Sequence, residues 1–304
     1  MQASSDKKGL QEILKSVSRS FYLSMVFLPK QMRAPISLAY MLARATDSVA
    51  DSSQADIALR LSSLRQMGQA IEGELTGREL SPLLESLQGE LAQAQAKASE
   101  ALLLQRFGDC LQLLQSRPEG EQVLIRRVLH TIIEGQCWDL EFFEQHDCVQ
   151  NNKQTQDYTY MVAGCVGEFW TDLGHLCMGK GKFCPEDKLK DMREAGNRYG
   201  CGLQLVNILR DRAEDTANGR SYLCSAPSRW QARAAKYLQD GVDYSLRLAN
   251  VRLRFTALLP ALLGLKTLKL IHEAGDATSR QKITRSTVYI TMVQALMMSL
   301  FSAR

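Results

Sequence analysis

Four aspartates in this chain have the types and spacing to act together. Asp47 and Asp51 lie four residues apart in one apolar stretch, and Asp211 and Asp215 do the same in another. At about 100° per residue, Tyr40, Arg44, Asp47 and Asp51 share one helix face, as do Gln204, Asn207, Asp211 and Asp215. Arg210 and Glu214 flank the second stripe. Two carboxylates one turn apart repel, weakening a helix by a few tenths of a kcal/mol. A cation relieves that repulsion. Mg²⁺ suits such a pair because it takes oxygen ligands, keeps several waters and is typically held by one or two carboxylates plus substrate phosphates. Two such helices facing each other would wall a cavity with metal–diphosphate clamps. The competing reading is two solvated faces neutralised by Arg44 and Arg210. Finding two pairs, each beside an Arg and an amide or phenol in a mostly apolar helix, favours the metal.

The elements that must hold these faces read as helix after helix. Strand-like alternation is nearly absent, and no fixed-period repeat or low-complexity tract occurs. The spacing predicts helices over 36–50, 56–75, 83–115, 121–146, 155–178, 186–216, 228–254 and 255–272, with a closing segment over 281–303. Pro35 is placed where a first turn tolerates it. Breaks are expected at Glu72–Pro82, Arg117–Gly120, Gly179–Pro185, Asn218-Gly219 and Asp276–Arg280, and Pro260 should kink or break its helix. No composition shift marks a linker, so one all-α domain over 1–304 is expected.

Composition narrows the function. The chain has 304 residues, 45% of them hydrophobic, which is enough for a sizeable core. The net charge of +4 comes from scattered basic residues and does not indicate nucleic-acid binding. None of the eight cysteines forms a CxxC pair, and no histidine stands at metal-ligand spacing to them. Reduced thiols in a cytoplasmic protein are therefore expected. No signal peptide is apparent, and no apolar run is seen to reach the roughly 18 residues of a membrane span. Val288–Ala303 comes nearest and reads as a buried closing helix, with peripheral membrane contact as the alternative.

Five segments stand out: Ser18-Arg19-Ser20-Phe21-Tyr22, Asp47 to Asp51, Glu134-Gly135-Gln136 with Asp139, Tyr158 to Gly167, and Asn207 to Asp215 followed by Gly219-Arg220. Together they resemble the squalene/phytoene synthase family of head-to-head prenyl transferases, most of all its bacterial squalene synthases. They occur in family order over residues 16–222. The resemblance implies a terpenoid synthase helical bundle with a central cavity, Mg²⁺, and two prenyl diphosphates such as farnesyl diphosphate as substrates. It assigns Asp47, Asp51, Asn207, Asp211 and Asp215 to metal. It assigns Ser18, Arg19, Ser20, Arg44, Gln204, Arg210 and Arg220 to diphosphate oxygens. Tyr40 and Tyr158 would stand near the reacting carbons, and a tyrosine oxygen or the released diphosphate would take the proton lost on cyclopropane closure. Phe21, Val166, Phe169 and Leu203 would form a dry apolar wall, since water would trap a cation.

The resemblance implies squalene synthesis through presqualene diphosphate with NADPH. The alternatives are phytoene or dehydrosqualene synthesis without reduction, or release of presqualene diphosphate. No GxGxxG follows a strand, so a dinucleotide site is not marked by that motif; Lys282 and Arg285 are the basic candidates. Gly164 and Gly167 would either let helices approach closely or leave room for an isoprenoid chain. A non-enzymatic helical partner protein of the same fold is a further alternative, and the four intact aspartates speak against it.

Overall fold

The structure, a computed structural model, describes residues 12–17, 25–275 and 282–301. Ser18, Arg19, Ser20 and Phe21 lie outside the described residues. The chain divides into two compact units, one of Met1–Val26 with Met32–Leu140 and one of Phe27–Gln31 with Glu141–Arg304. Among the described residues every regular element is helical, and only an isolated parallel bridge joins Cys148 to Ser221.

In the first unit, α1 (Lys30–Ala50) buries Met32, Ile36, Leu38, Leu42, Ala45 and Val49. It starts six residues before the expected 36, so Pro35 lies in its second turn. Helix α2 (Ile57–Glu72) opens where Asp56 accepts the Ala58 N–H at 2.8 Å. It closes at Gly73, whose φ of 88° favours glycine. The expected break is shorter, because α3 (Gly77–Gln88) starts inside it. The single helix expected over 83–115 is instead α3, α4 (Glu90–Gln93), α5 (Ala98–Gln105) and α6 (Phe107–Gln115). Gly89 (φ −94°, ψ −102°) and Arg106 (φ −102°, ψ 15°) leave helical geometry between them. These bends bring Leu83, Leu87, Leu91, Leu103, Leu104, Phe107 and Leu114 all to buried positions. Helix α7 (Glu119–Gln145) begins directly after Pro118, so Glu119 and Gly120 belong to its first turn.

In the second unit the helix expected over 155–178 is interrupted. Helix α8 (Asn152–Thr159) runs into a π turn at Tyr160–Gly164 and then α9 (Cys165–Met178). This stretch packs on α10 (Leu189–Ala217), which a 3₁₀ turn at Glu186–Lys188 introduces. A Cβ on Gly167 would fall 1.8 Å from the Gly196 carbonyl oxygen, and one on Gly200 would fall 2.1 Å from that of Ala163. The glycines therefore serve backbone contact between helices. Gly219 (φ 75°) follows the end of α10 at Asn218.

Helices α11 (Pro227–Leu246) and α12 (Val251–Ala274) meet at residues 247–250 rather than at the expected 254/255, because the Asn250 side chain caps α12 through the Arg252 N–H. Pro260 lies within α12 without ending it. Contrary to the expectation of no such run, α12 is long and apolar enough to cross a membrane by length and composition. It packs against α10 and α11, however, and 61% of its apolar window is buried, so it is a core helix here.

The last helix, α13 (Arg285–Phe301), is not the buried helix expected. Thr291, Ala295 and Ser299, one turn apart, form its buried stripe, and α13 packs on α12. These small residues leave the large ones turned outward, with Tyr289 at 67% and Phe301 at 73% exposure.

Candidate functional site

The first acidic face lies on α1. Its helical bonding runs through Asp51, whose N–H reaches the Asp47 carbonyl at 2.8 Å, so the two carboxylates keep their one-turn spacing. Arg44 is ion-paired with both Asp47 and Glu100, and Lys97 also reaches Glu100 at 2.8 Å. Arg60, buried, donates to the Ala50 carbonyl, and Gln95 donates to that of Ser48 at 3.2 Å. These bonds hold the carbonyl end of the helix that carries the aspartates, where a cation also complements the helix dipole.

Electrostatics on this face follow from crowding. Desolvation and then the like charge of Asp51 push the Asp47 carboxyl up to about 7, against the pull of Arg44. Water still reaches 41% of its side chain, which tempers the desolvation, and the neighbouring acids keep the direction upward. Burial also disfavours ionised Glu100, but hydrogen bonds from Lys97 and Arg44 outweigh it and hold its carboxyl below the usual range. Burial raises the Tyr40 phenol, which donates to the Val17 carbonyl at 3.2 Å.

The second face lies on α10. Arg210 grips Asp211 with two parallel bonds, Nε–Oδ1 at 2.9 Å and Nη2–Oδ2 at 2.6 Å. That fork, ahead of burial, raises the guanidinium further above its ordinary value. Asn207 donates to Gln204 at 3.2 Å. After Gly219 the chain turns back, and the Arg220 N–H bonds the Asp215 carbonyl at 2.9 Å. Arg212, Asp215, Arg220 and Tyr222 help line a small open recess there.

The remaining expected residues are distributed as follows. The Tyr158 ring stacks on Tyr222 at 4.8 Å, with Phe143 edge-on to Tyr222 at 5.0 Å. Val166 and Leu203 keep accessible surface, whereas Phe169 is 5% exposed and packs in the core. Lys282 and Arg285 are exposed at the start of α13.

The spacing did not reveal Glu100, Arg60 or Tyr222. Each meets its partner only through the fold, and an acid in a Leu-rich helix or an Arg in an amphipathic one carries no local signal. Glu168, also missed, accepts from Asn197 at 2.8 Å and from Arg193 at 3.2 Å, tying α9 to α10.

Among the described residues no three His, Cys, Asp or Glu side chains converge as a complete metal cage. An ion that keeps waters and phosphate oxygens needs only one or two carboxylates. The pairs Asp47/Asp51 and Asp211/Asp215 supply that donor set. The like-charge strain at Asp47 is what a bound cation would relieve, so the residues fit Mg²⁺. Arg44, Arg210 and Arg220 add planar forks suited to phosphate oxygens.

The squalene/phytoene synthase family model matches residues 14–226. A bifunctional lycopene cyclase/phytoene synthase from Blakeslea trispora is 26% identical over 239 residues, covering 77% of this chain and 35% of that protein. A squalene synthase from Eremothecium gossypii is 27% identical over 223 residues, covering 73% of this chain and 46% of that protein. This chain thus spans less than half the length of either relative. The structure of TcSQS with the ligand BPH1237 shares the fold, with a TM-score of 0.72 and 20% identity, over 98% of this chain and 89% of that one. With the family match covering well over half of its length, the chain belongs to the squalene/phytoene synthase family, whose members join prenyl units head to head and are typically Mg²⁺-dependent.

Proposed function

We propose that this protein condenses two farnesyl diphosphates to presqualene diphosphate and rearranges that product reductively to squalene with NADPH. The observation that carries the synthase reading is the pair of acidic faces, each with two carboxylates one turn apart and an arginine bound to one of them. The preference for squalene rests on the Tyr158–Gly167 segment followed by Glu168-Phe169-Trp170, which resembles bacterial squalene synthases. We take both compact units as parts of one synthase domain over 1–304, acting in the cytoplasm. The exposed apolar stripe of α13 supports peripheral contact with lipid, where so hydrophobic a product would go.

Mg²⁺, when bound, would offset the charge that develops on diphosphate as the allylic C–O bond breaks. Asp47, Asp51, Asp211, Asp215 and Asn207 would hold it. Arg44, Arg210 and Arg220 would bind diphosphate oxygens, with Ser18, Arg19, Ser20 and Gln204 adding hydrogen bonds. Val166 and Leu203 would keep water from the cation, a role the family resemblance also gives Phe21. Tyr40 stays protonated, since burial raises its phenol, so released diphosphate is the stronger base for the proton lost on ring closure. Lys282 and Arg285 are our candidates for the dinucleotide phosphates.

A second reading, phytoene or dehydrosqualene synthesis, is favoured by the near-equal identity to the phytoene synthase relative. Incubation with Mg²⁺ and farnesyl diphosphate, with and without NADPH, separates the two by product mass. Squalene formed only with NADPH supports the proposal. Dehydrosqualene, or presqualene diphosphate whether or not NADPH is present, moves the chain to a sister activity.

A further inference from the structure

All eight cysteines are free thiols, and they differ in their surroundings. Cys110, Cys165, Cys184 and Cys201 are buried. Burial pushes Cys110 and Cys165 up to about 12 and Cys201 up to about 11, which leaves little reactive thiolate. Cys137 and Cys177 are half-buried. Only Cys148 and Cys224 are exposed, and they lie on neighbouring segments.

The α7–α8 connection pairs there with the strap that follows α10. Ser221 N–H bonds the Asp147 carbonyl and Val149 N–H bonds the Ser221 carbonyl, both at 2.9 Å. Thr155 then holds the Tyr222 carbonyl at 2.7 Å. This register puts Cys148 Sγ 3.8 Å from the carbonyl oxygen of Leu223, the residue bonded to Cys224. Standard covalent geometry then brings the Cys224 Cα within about 7 Å of that sulfur. The Cys224 thiol rests on Asn152 Oδ1 at 3.4 Å, four residues along the chain from Cys148. The bound of about 7 Å is measured from the Cys148 sulfur, whereas a disulfide needs Cα atoms roughly 4.4–6.8 Å apart, so closure draws residues 223–226, which form no helix or strand, toward Cys148.

We propose that Cys148 and Cys224 are a reversible disulfide pair, closed by a disulfide oxidant such as oxidised glutathione. One thiolate attacks a glutathione sulfur and releases one glutathione thiolate. The second thiolate then attacks the protein sulfur of the mixed disulfide and releases the other. Two protein thiols are oxidised, one glutathione disulfide is reduced to two glutathiones, and the two thiol protons are released to the glutathione thiolates or solvent. The bridge would tie down the strap that carries Arg220 and Tyr222, and through Tyr222 the ring of Tyr158.

The test is to equilibrate the whole protein with oxidised glutathione and measure intact mass and mapped peptides. The expected product is lighter by two hydrogens, contains a Cys148–Cys224 peptide and reverts with dithiothreitol. Cys148→Ser and Cys224→Ser should instead each retain one glutathione. Wild-type protein that keeps glutathione adducts, or bridges other cysteines, overturns the pairing. The effect on catalysis rests on the synthase reading, whereas the mass result does not, so the two can fail separately. Oxidised wild type should lose at least about threefold in kcat/KM for farnesyl diphosphate, restored by reduction, because drawing Cys224 toward Cys148 would displace Arg220 on the same strap. A bridge that forms with kcat/KM unchanged would overturn that link to the strap.

Discussion

Replacing Gly167 with alanine tests why a helix near the candidate site carries glycine. The new Cβ would stand 1.8 Å from the Gly196 carbonyl oxygen. A tolerable carbon–oxygen contact is about 3.3 Å, so α9 and α10 must part by about 1.5 Å. The obstacle is backbone, so no rotamer change relieves it. Overpacking of this kind costs about 1–3 kcal/mol, and rigid backbone on both sides puts this site at the upper end. Alanine returns about 1 kcal/mol of helix propensity. A net loss of about 2 kcal/mol follows, read as a lower urea midpoint by far-UV circular dichroism. Gly68→Ala is the opposite control: its Cβ meets only the Ile133 side chain at 3.7 Å, so it should stabilise by up to about 1 kcal/mol. Gly167→Ala with an unchanged midpoint but altered products or KM would refute the argument. The glycine would then be making room for substrate rather than letting helices touch.

Other outcomes follow from the two faces. Glu100 is held below its ordinary 4.5, so its contribution to stability is present above that value and lost as pH falls through the lower folded value. Thermal melts of Glu100→Gln should accordingly show a shallower loss of midpoint on acidification than wild type, and parallel curves would contradict this. Arg60→Ala leaves the Ala50 carbonyl without its buried donor and should cost about 1–3 kcal/mol in urea unfolding; a change under about 0.5 kcal/mol would show that the bond holds nothing. Arg210→Lys keeps the charge but loses the two-bond grip on Asp211, and should raise KM for farnesyl diphosphate about tenfold; an unchanged KM would remove Arg210 from the diphosphate site.

The sequence reading reached the two acidic faces because a helix repeats its face every 3.6 residues, and both motifs fall inside long apolar helices that keep that period. It failed where tertiary contact decides. Leu, Ala and Gln dominate 83–115 and favour helix, but burying Leu83, Leu91 and Phe107 together requires bends at Gly89, a weak helix former overlooked in that run, and at Arg106, where propensity marks nothing. The π turn at Tyr160–Gly164 arises where the α8–α9 stretch crosses α10 at Gly200, a partner far along the chain. The closing helix looked buried because its apolar content is high. Its packed face turned out to be Thr291, Ala295 and Ser299, the small residues. Glu100 and Arg60 were invisible for the same reason: their meaning lies in Arg44 and Ala50, which only the fold brings near.

The central claim is that the carboxylates at Asp47 and Asp211 drive departure of diphosphate. Its most direct test is pyrophosphate release from farnesyl diphosphate with Mg²⁺ by wild type, Asp47→Asn and Asp211→Asn, each first shown to be folded by circular dichroism. The account predicts release by wild type and a loss of at least about a hundredfold in each variant. Release at the wild-type rate in both variants would contradict it.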